Sequence, residues 1–371
     1  MDFSYQHPSQ IYVLSACPND DSDLIAVGGE HSVEVLLVKK ASCERLALFH
    51  IGTRITALAW SARSVSPTLS DEWFIEISAA GTDFSLVQLT KSSKEDETIF
   101  HFGGGLSGHH GKITDMAFCG GTGDDSARYI ATVSDDKMMV VWDLYPTHSV
   151  RSPRPSAAAS TSPSSNRPQP TAYVIAFPHP LSSIDSHPST SKEFLVADCR
   201  GSIFLTDWRS DLDGEHESWR HHSIVELTDP HALSDASMGI SIHLSASAAW
   251  RRDTPDIIGA VHGTKFSLWD TSKICGGKPF VSDVSFSQGG HRFRWCYTYP
   301  EFFAISTQSP LKGAVIHVYN TGYVHAQPTT FEISTRPHFV RDFDFVASRG
   351  IPRLAAAVGR SVVIFPIGVE S

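Results

Sequence analysis

The stretch that decides the fold is residues 108–143, which read GHHGKITDMAFCGGTGDDSARYIATVSDDKMMVVWD. Three short runs rich in β-branched and aromatic residues, the first at 113–118 and the other two within 128–143, are separated by turn residues. This pattern predicts three short antiparallel strands, because the runs favour extended backbone and the turn residues end them. A sheet this small has two faces to bury and needs neighbours of the same kind.

The ends of this stretch are typical of a WD repeat, which opens with Gly-His and closes with Trp-Asp. In such repeats a His, a hydroxyl, an Asp and the Trp form a side-chain hydrogen-bond relay. By spacing, these residues are His109, Thr132, Asp136 and Trp142. We expect a structural relay, since each buried polar group left unpaired costs about 1 to 3 kcal/mol. An acid–base pair of His109 and Asp136 is the alternative, but the relay already occupies both groups.

The rest of the chain contains six further sets of strand-like runs. The run Ile55–Trp60 repeats in register as Ile113–Phe118, which is the self-similarity expected of a repeat fold. We therefore predict an all-β, seven-bladed WD-repeat β-propeller that spans residues 1–371 as one domain. The last set has three strands, so we expect Phe3–Gln6 to add the missing fourth strand and close the ring.

One insertion interrupts the third blade. Residues 146–170 are rich in Pro and Ser and have almost no large apolar side chains, so they cannot offset the entropy of ordering. We expect a disordered loop there, with the outer strand resuming at Ala172–Phe177.

Composition excludes several classes of partner. The net charge is −10 and no basic run exceeds two residues, which argues against direct nucleic-acid binding. No stretch approaches the 18 or so apolar residues that span a bilayer, so no membrane insertion is expected. The six cysteines are scattered without a CxxC pair, which suits a reducing compartment.

Catalytic and ligand motifs are not apparent. The glycine-rich stretch 103–112 lacks the Gly and the Ser or Thr that a phosphate-binding loop needs. A calcium site of the kind found in propeller hydrolases needs several inward-facing acids, whereas the innermost strands are expected to offer Asp185 and Asp342 as isolated acids. We therefore predict no enzyme activity, no catalytic residue, no metal, no cofactor and no small-molecule substrate.

The repeat motifs follow one another in a distinctive order. They are Leu24–Gly29, Arg54–Ser61, Val133–Asp136, Val141–Leu144, Phe194–Ala197 with Gly201–Ile203, Ser267–Asp270, Phe293–Trp295 and Phe302–Ala304. In this order and spacing the chain resembles the nucleoporin thirty-seven family, the small WD-repeat propellers of the Y-shaped scaffold complex of the nuclear pore. The resemblance covers nearly the whole chain, and it departs at residues 146–170 and at the acidic loop 211–217.

The resemblance implies a structural scaffold without catalysis at the nuclear pore complex of the nuclear envelope. It would dock onto the large propeller-plus-helical nucleoporin of the short arm, lie near an ELYS-like factor, and support pore assembly and nucleocytoplasmic transport. The candidate interface anchors are Trp208, Arg209, Trp219 and Arg220, in or beside one loop. Trp208 could equally cap a blade. A WD-repeat peptide-binding adaptor, such as a substrate receptor or chromatin reader, is the alternative function.

Overall fold

The computed structural model describes residues 3–104, 108–146, 167–209, 224–228, 246–273 and 277–368. These residues form seven four-stranded antiparallel sheets. The innermost strand of each sheet packs against the innermost strand of the next, and the seventh packs against the first. The predicted seven-bladed all-β propeller is therefore confirmed.

Within each blade the strands alternate in direction. They lie side by side in order, from the innermost strand at the central channel to the outermost strand at the rim. In chain order they are β1 (Phe3–Gln6), β2 (Val13–Ala16), β3 (Leu24–Gly28), β4 (Ser32–Val38), β5 (Cys43–His50), β6 (Ile55–Trp60), β7 (Phe74–Gly81), β8 (Leu86–Ser92), β9 (Thr98–Phe102), β10 (Ile113–Phe118), β11 (Tyr129–Ser134), β12 (Met138–Asp143), β13 (Thr171–Ala176), β14 (Leu181–Ser186), β15 (Glu193–Asp198), β16 (Ser202–Asp207), β17 (Ile224–Thr228), β18 (Ala246–Trp250), β19 (Ile257–His262), β20 (Lys265–Asp270), β21 (Val281–Val284), β22 (Phe293–Trp295), β23 (Phe302–Ser306), β24 (Ala314–Asn320), β25 (Thr329–Ser334), β26 (Asp342–Val346), β27 (Arg353–Val358) and β28 (Ser361–Pro366). One short helix, α1 (Asp125–Arg128), precedes β11, and short 3-10 helices occur at Thr271–Lys273, Pro310–Lys312 and Thr321–Tyr323.

The first strand closes the ring. β1 lies outside β28 in the seventh blade, and the antiparallel register pairs Phe3 with Ile364 and Gln6 with Ser361. This is the closure predicted from the missing fourth strand. Each blade is thereby four-stranded, and the outer edge of β28 is paired.

The core consists of apolar layers between neighbouring blades. Between the first and second blades, for example, Val35 and Phe49 pack with Leu58 and Ile77, and all four are buried. The layers are closely packed, so a small residue is required where blades approach. A Cβ at Gly259 of the fifth blade would lie 2.2 Å from Cζ of Phe293 of the sixth.

The third blade matches the predicted strands closely. β10 coincides with the predicted run 113–118, β11 and β12 are the two runs expected within 128–143, and β13 begins one residue before the expected outer strand. Most of the predicted loop 146–170 lies outside the described residues. At its end, Arg167 packs over the rings of Phe100 and Tyr145, at 4.2 and 4.6 Å from their centroids.

Candidate functional site

The predicted relay residues of the third blade form one connected set of hydrogen bonds. His109 Nδ1 lies 2.9 Å from Asp136 Oδ2, and His109 Nε2 lies 2.8 Å from Thr132 Oγ1. Trp142 donates from Nε1 to the same hydroxyl over 3.0 Å. Burial lowers the pKa of His109 although Asp136 opposes this shift. The side chains bond to one another and to neighbouring backbone groups, since Asp136 also accepts from the backbone nitrogens of His110 and Met138, which is a structural arrangement.

In the fifth blade the buried indole N–H of the equivalent Trp has a different hydrogen-bond partner. Its repeat has Gly263 where the relay Asp would stand. Trp269, at the position equivalent to Trp142, donates from Nε1 to the carbonyl oxygen of Gly277 over 3.0 Å. The buried indole N–H is therefore satisfied by backbone, so this blade needs no relay.

The four interface candidates fall into different environments. Trp208 is only 8% exposed, and it packs against Tyr129 and donates to the carbonyl oxygen of Ser191 over 2.9 Å. It therefore lies in the layer between the third and fourth blades. Arg209 is exposed and forms an ion pair of 2.5 Å with Asp125. Trp219 and Arg220 lie outside the described residues.

The acids of the innermost strands tie one blade to the next. Asp342 and Asp344 of β26 accept hydrogen bonds from the backbone nitrogens of Leu14 and Ala16, at 3.1 and 3.0 Å. Asp185 of β14 accepts from the backbone nitrogen of Trp250 over 2.8 Å. The innermost edge of a blade has unpaired N–H groups that require acceptors, and these carboxylates supply them.

Asp342 also has charged partners, which the sequence did not predict. Arg292 Nε lies 3.5 Å from Asp342 Oδ1, and its Nη1 lies 3.5 Å from Asp115 Oδ2 of the third blade. Arg294 Nε lies 4.0 Å from Asp344 Oδ1. Burial opposes the charge of Arg294, but its neighbouring carboxylates raise its pKa above the ordinary value. A buried charge network thus crosses the channel, and sequence periodicity gave no sign of it.

One opening of the channel lies at the C-terminal ends of the innermost strands. A cavity of about 220 Å³ is present there, lined among others by Trp60, Trp250, Trp295, Arg252 and Tyr297. Most of its polar groups have partners. Trp60 and Trp295, for instance, donate to the carbonyl oxygens of the neighbouring blade over 3.0 Å. Side chains at this opening, such as Trp60 and Trp295, are thus engaged in hydrogen bonds between neighbouring blades.

The opposite opening is formed by the residues that directly precede the innermost strands. Arg54, Lys112, Arg292 and Arg341 occupy this equivalent position in the second, third, sixth and seventh blades, and Tyr12 occupies it in the first. Four of the seven equivalent positions are therefore basic. We call Arg54, Lys112 and Arg341, together with the Tyr12 ring, the cationic mouth.

The backbone holds these positions firmly. The carbonyl oxygen of Arg54 accepts from Thr82 over 2.9 Å, and that of Lys112 accepts from Asp135 over 3.1 Å. The nitrogen of Arg341 donates to Ala357 over 2.9 Å. Each hydrogen bond joins the start of the innermost strand to the second strand of the same blade or to the residue that follows that strand. The backbone positions from which the basic side chains extend are therefore fixed.

In the described part of the chain, no helix is long and apolar enough to cross a membrane. Within the same residues, no group of three or more His, Cys, Asp or Glu side chains is arranged to hold a metal ion.

Comparison with known proteins identifies the fold alone. No family model matches the sequence, and no curated protein matches it. Among solved structures, the chain is similar to Raptor from Chaetomium thermophilum, with a TM-score of 0.65, 13% identity and coverage of 99% of this chain. The match covers 28% of the Raptor chain, so this chain spans little more than a quarter of that protein's length. The propeller fold is compatible with a WD-repeat scaffold or adaptor.

Proposed function

We propose that the protein is a non-enzymatic scaffold subunit of the Y-shaped outer-ring complex of the nuclear pore. The observation that carries this proposal is the order and spacing of the repeat motifs, from Leu24–Gly29 to Phe302–Ala304, which resembles that of the nucleoporin thirty-seven family. In this role the propeller docks onto the large propeller-plus-helical nucleoporin of the short arm at the nuclear envelope. An ELYS-like factor is a second proposed neighbour.

The chemistry of the conspicuous polar residues supports a scaffold role. His109 and Asp136 are occupied by the relay, and Asp344 and Asp342 hold the seam between the last and first blades. Groups engaged in this way keep the disc rigid. A rigid disc loses little conformational entropy when it binds, which favours the interfaces of about 1,200 to 2,000 Å² that stable complexes use.

The test is affinity purification of the full-length chain from nuclear-envelope extract, followed by mass spectrometry and imaging of the tagged protein. We expect stoichiometric recovery of the large short-arm nucleoporin and staining of the nuclear rim. A diffuse cytoplasmic signal without that partner would contradict the proposal. Arg209→Ala, compared with Arg251→Ala on the fifth blade, tests whether the exposed Arg209 contributes to the docking surface.

A peptide-binding adaptor is the second candidate function. The observation that favours it is the cationic mouth, because the centre of a propeller face is a concave place where side chains from several blades converge. An array of immobilised peptides probed with the purified full-length chain separates the two functions. A scaffold docks through a folded partner, whereas an adaptor retains short peptides.

A further inference from the structure

The three basic side chains of the cationic mouth lack acidic partners of their own. Among the described residues, no carboxylate lies within 4.0 Å of the charged nitrogens of Arg54, Lys112 or Arg341. Arg292 differs, because it is 3.5 Å from both Asp115 and Asp342. Arg292 therefore has carboxylate partners, whereas the three basic side chains of the mouth have none within that distance among the described residues.

The basic side chains of the mouth act on one another electrostatically. Partial burial and the positive charges of Arg292 and Arg54 lower the pKa of Lys112, Asp135 opposes this, and Arg341 lowers it further. The neighbouring His291 has its pKa lowered well below the usual value by burial and by Arg292, Arg294, Arg341 and Lys112. An imidazole in that position stays neutral, so the positive field is carried by the Arg and Lys side chains.

Aromatic rings orient two of these cations. The guanidinium carbon of Arg54 lies 5.0 Å from the centroid of the Tyr12 ring, and that of Arg341 lies 5.6 Å from the same ring. Arg341 also lies 4.6 Å from the centroid of Phe339, and its Nε has no hydrogen-bond partner among the described residues. Stacking of this kind restrains a guanidinium while leaving its N–H groups to bind an anion.

We propose that the cationic mouth binds a phosphorylated segment of a partner protein, with the phosphate between Arg54, Lys112 and Arg341. A phosphate monoester has nearly two negative charges and three acceptor oxygens, and it matches the fork of an Arg guanidinium. The rest of the chain disfavours a nucleic acid, because its net charge of −10 repels an extended polyanion while the mouth attracts a local one. This inference rests on the second candidate function, the binding of a short peptide segment at the cationic mouth, and not on the scaffold proposal.

The experiment uses fluorescein-labelled degenerate peptide mixtures with one central phosphoserine, serine or glutamate, titrated against the full-length chain by fluorescence anisotropy. We expect the phosphoserine mixture to bind at least tenfold more tightly than the serine mixture, with glutamate between them. Affinity should fall as salt rises. Calorimetric titration of inorganic phosphate alone distinguishes a peptide site from a site for the free ion.

Two variants connect binding to the mouth. Arg54→Gln with Lys112→Gln alters only exposed side chains and leaves Arg341 on its rings, and it should weaken phosphopeptide binding at least tenfold with an unchanged melting temperature. The matched control is Lys40→Gln with Lys273→Gln, which removes the same charge from exposed positions between the third and fourth strands of other blades. This control should bind like the wild type.

Three results would overturn the inference. The first is equal affinity for the phosphoserine and serine mixtures. The second is an equal loss of binding in the mouth variant and in its control. The third is binding of inorganic phosphate as tight as that of the phosphopeptide, since the mouth would then take the free ion and not a protein segment.

Discussion

Tyr5 donates a hydrogen bond from its hydroxyl to Glu34 Oε2 over 2.7 Å, and this bond joins the strand that closes the last blade to the third strand of the first blade. The Glu34 side chain is fully buried and also lies 3.3 Å from Arg45. Burial and Glu34 raise the pKa of Tyr5 to about 12, so the hydroxyl remains a donor throughout the physiological range. The seam of the ring is therefore fastened by side chains as well as by the β1–β28 ladder.

Removal of this hydroxyl should loosen the seam. We expect Tyr5→Phe to lower the free energy of unfolding by about 1 to 3 kcal/mol, because a hydrogen bond to a buried carboxylate is lost. Chemical denaturation of the full-length chain measures the change. Tyr323→Phe is the control, since that ring is 77% exposed, and it should leave stability unaltered. Equal stability of Tyr5→Phe and the wild type would show that the bond does not hold the seam.

The relay predicts opposite outcomes for two buried threonines. Thr132→Val should cost about 1 to 3 kcal/mol, because Trp142 Nε1–H and His109 Nε2 both lose their partner. Thr206 is equally buried, but its hydroxyl has no hydrogen-bond partner among the described residues, so Thr206→Val should be neutral or stabilising. Thermal unfolding of the two variants side by side checks the contrast. Similar losses in both would mean that burial, and not the relay, sets the cost.

The buried carboxylate of Asp344 should make stability depend on pH. Burial raises its pKa from 3.8 to about 6, against the opposing charge of Arg294. A raised folded-state pKa means that the folded protein holds its proton more tightly than the unfolded chain, so this group's contribution is present below about pH 4 and is lost as pH rises through about 6.

Asp344→Asn removes this dependence and keeps an oxygen that can accept from Ala16. Relative to the wild type, we expect the variant to gain about 3 kcal/mol between pH 4 and pH 7, from about two pKa units at 1.36 kcal/mol each. Urea unfolding at a series of pH values measures it. The control is Asp124→Asn at an exposed turn. A pH-independent difference between Asp344→Asn and the wild type would contradict the assignment.

Two blades approach closely at Gly259, so we expect that this position cannot accommodate a larger residue. Gly259→Ala places a methyl group 2.2 Å from Cζ of the buried Phe293, and overpacking of this kind costs about 1 to 3 kcal/mol. Gly123→Ala is the matched control, because a Cβ there meets no atom within 4 Å. Differential scanning calorimetry compares the two melting temperatures, and a Gly259→Ala chain as stable as Gly123→Ala would refute the packing argument.

Local pattern was sufficient to predict the blades, their number and the closure by Phe3–Gln6. The blades depend on alternation, turn residues and repeat order within a few tens of residues, and the closure follows from the strand that the last blade lacks. The contacts of Asp344 with Ala16 and of Arg292 with Asp115 could not be predicted in this way. These partners lie far apart in the chain, and they meet only because the ring sets the register of one innermost strand against another.

The position of Trp208 shows a second limit. An aromatic beside a charged loop suggests a binding anchor, yet this indole packs beside Tyr129 at a centroid distance of 5.0 Å. Sequence alone does not say whether such a ring faces solvent or the next blade. The cationic mouth was missed for a related reason, because Arg54, Lys112 and Arg341 are dispersed along the chain and form no basic run.

Pairing of β1 with β28 also imposes an order on events at the ribosome. Gln6 and Ser361 are 355 residues apart, and at about 5 to 20 residues per second their synthesis is separated by roughly 20 to 70 s. During that interval β1 has no partner strand. The β1–β28 ladder therefore cannot form until β28 has left the ribosome, so closure of the ring follows the synthesis of the six blades between them.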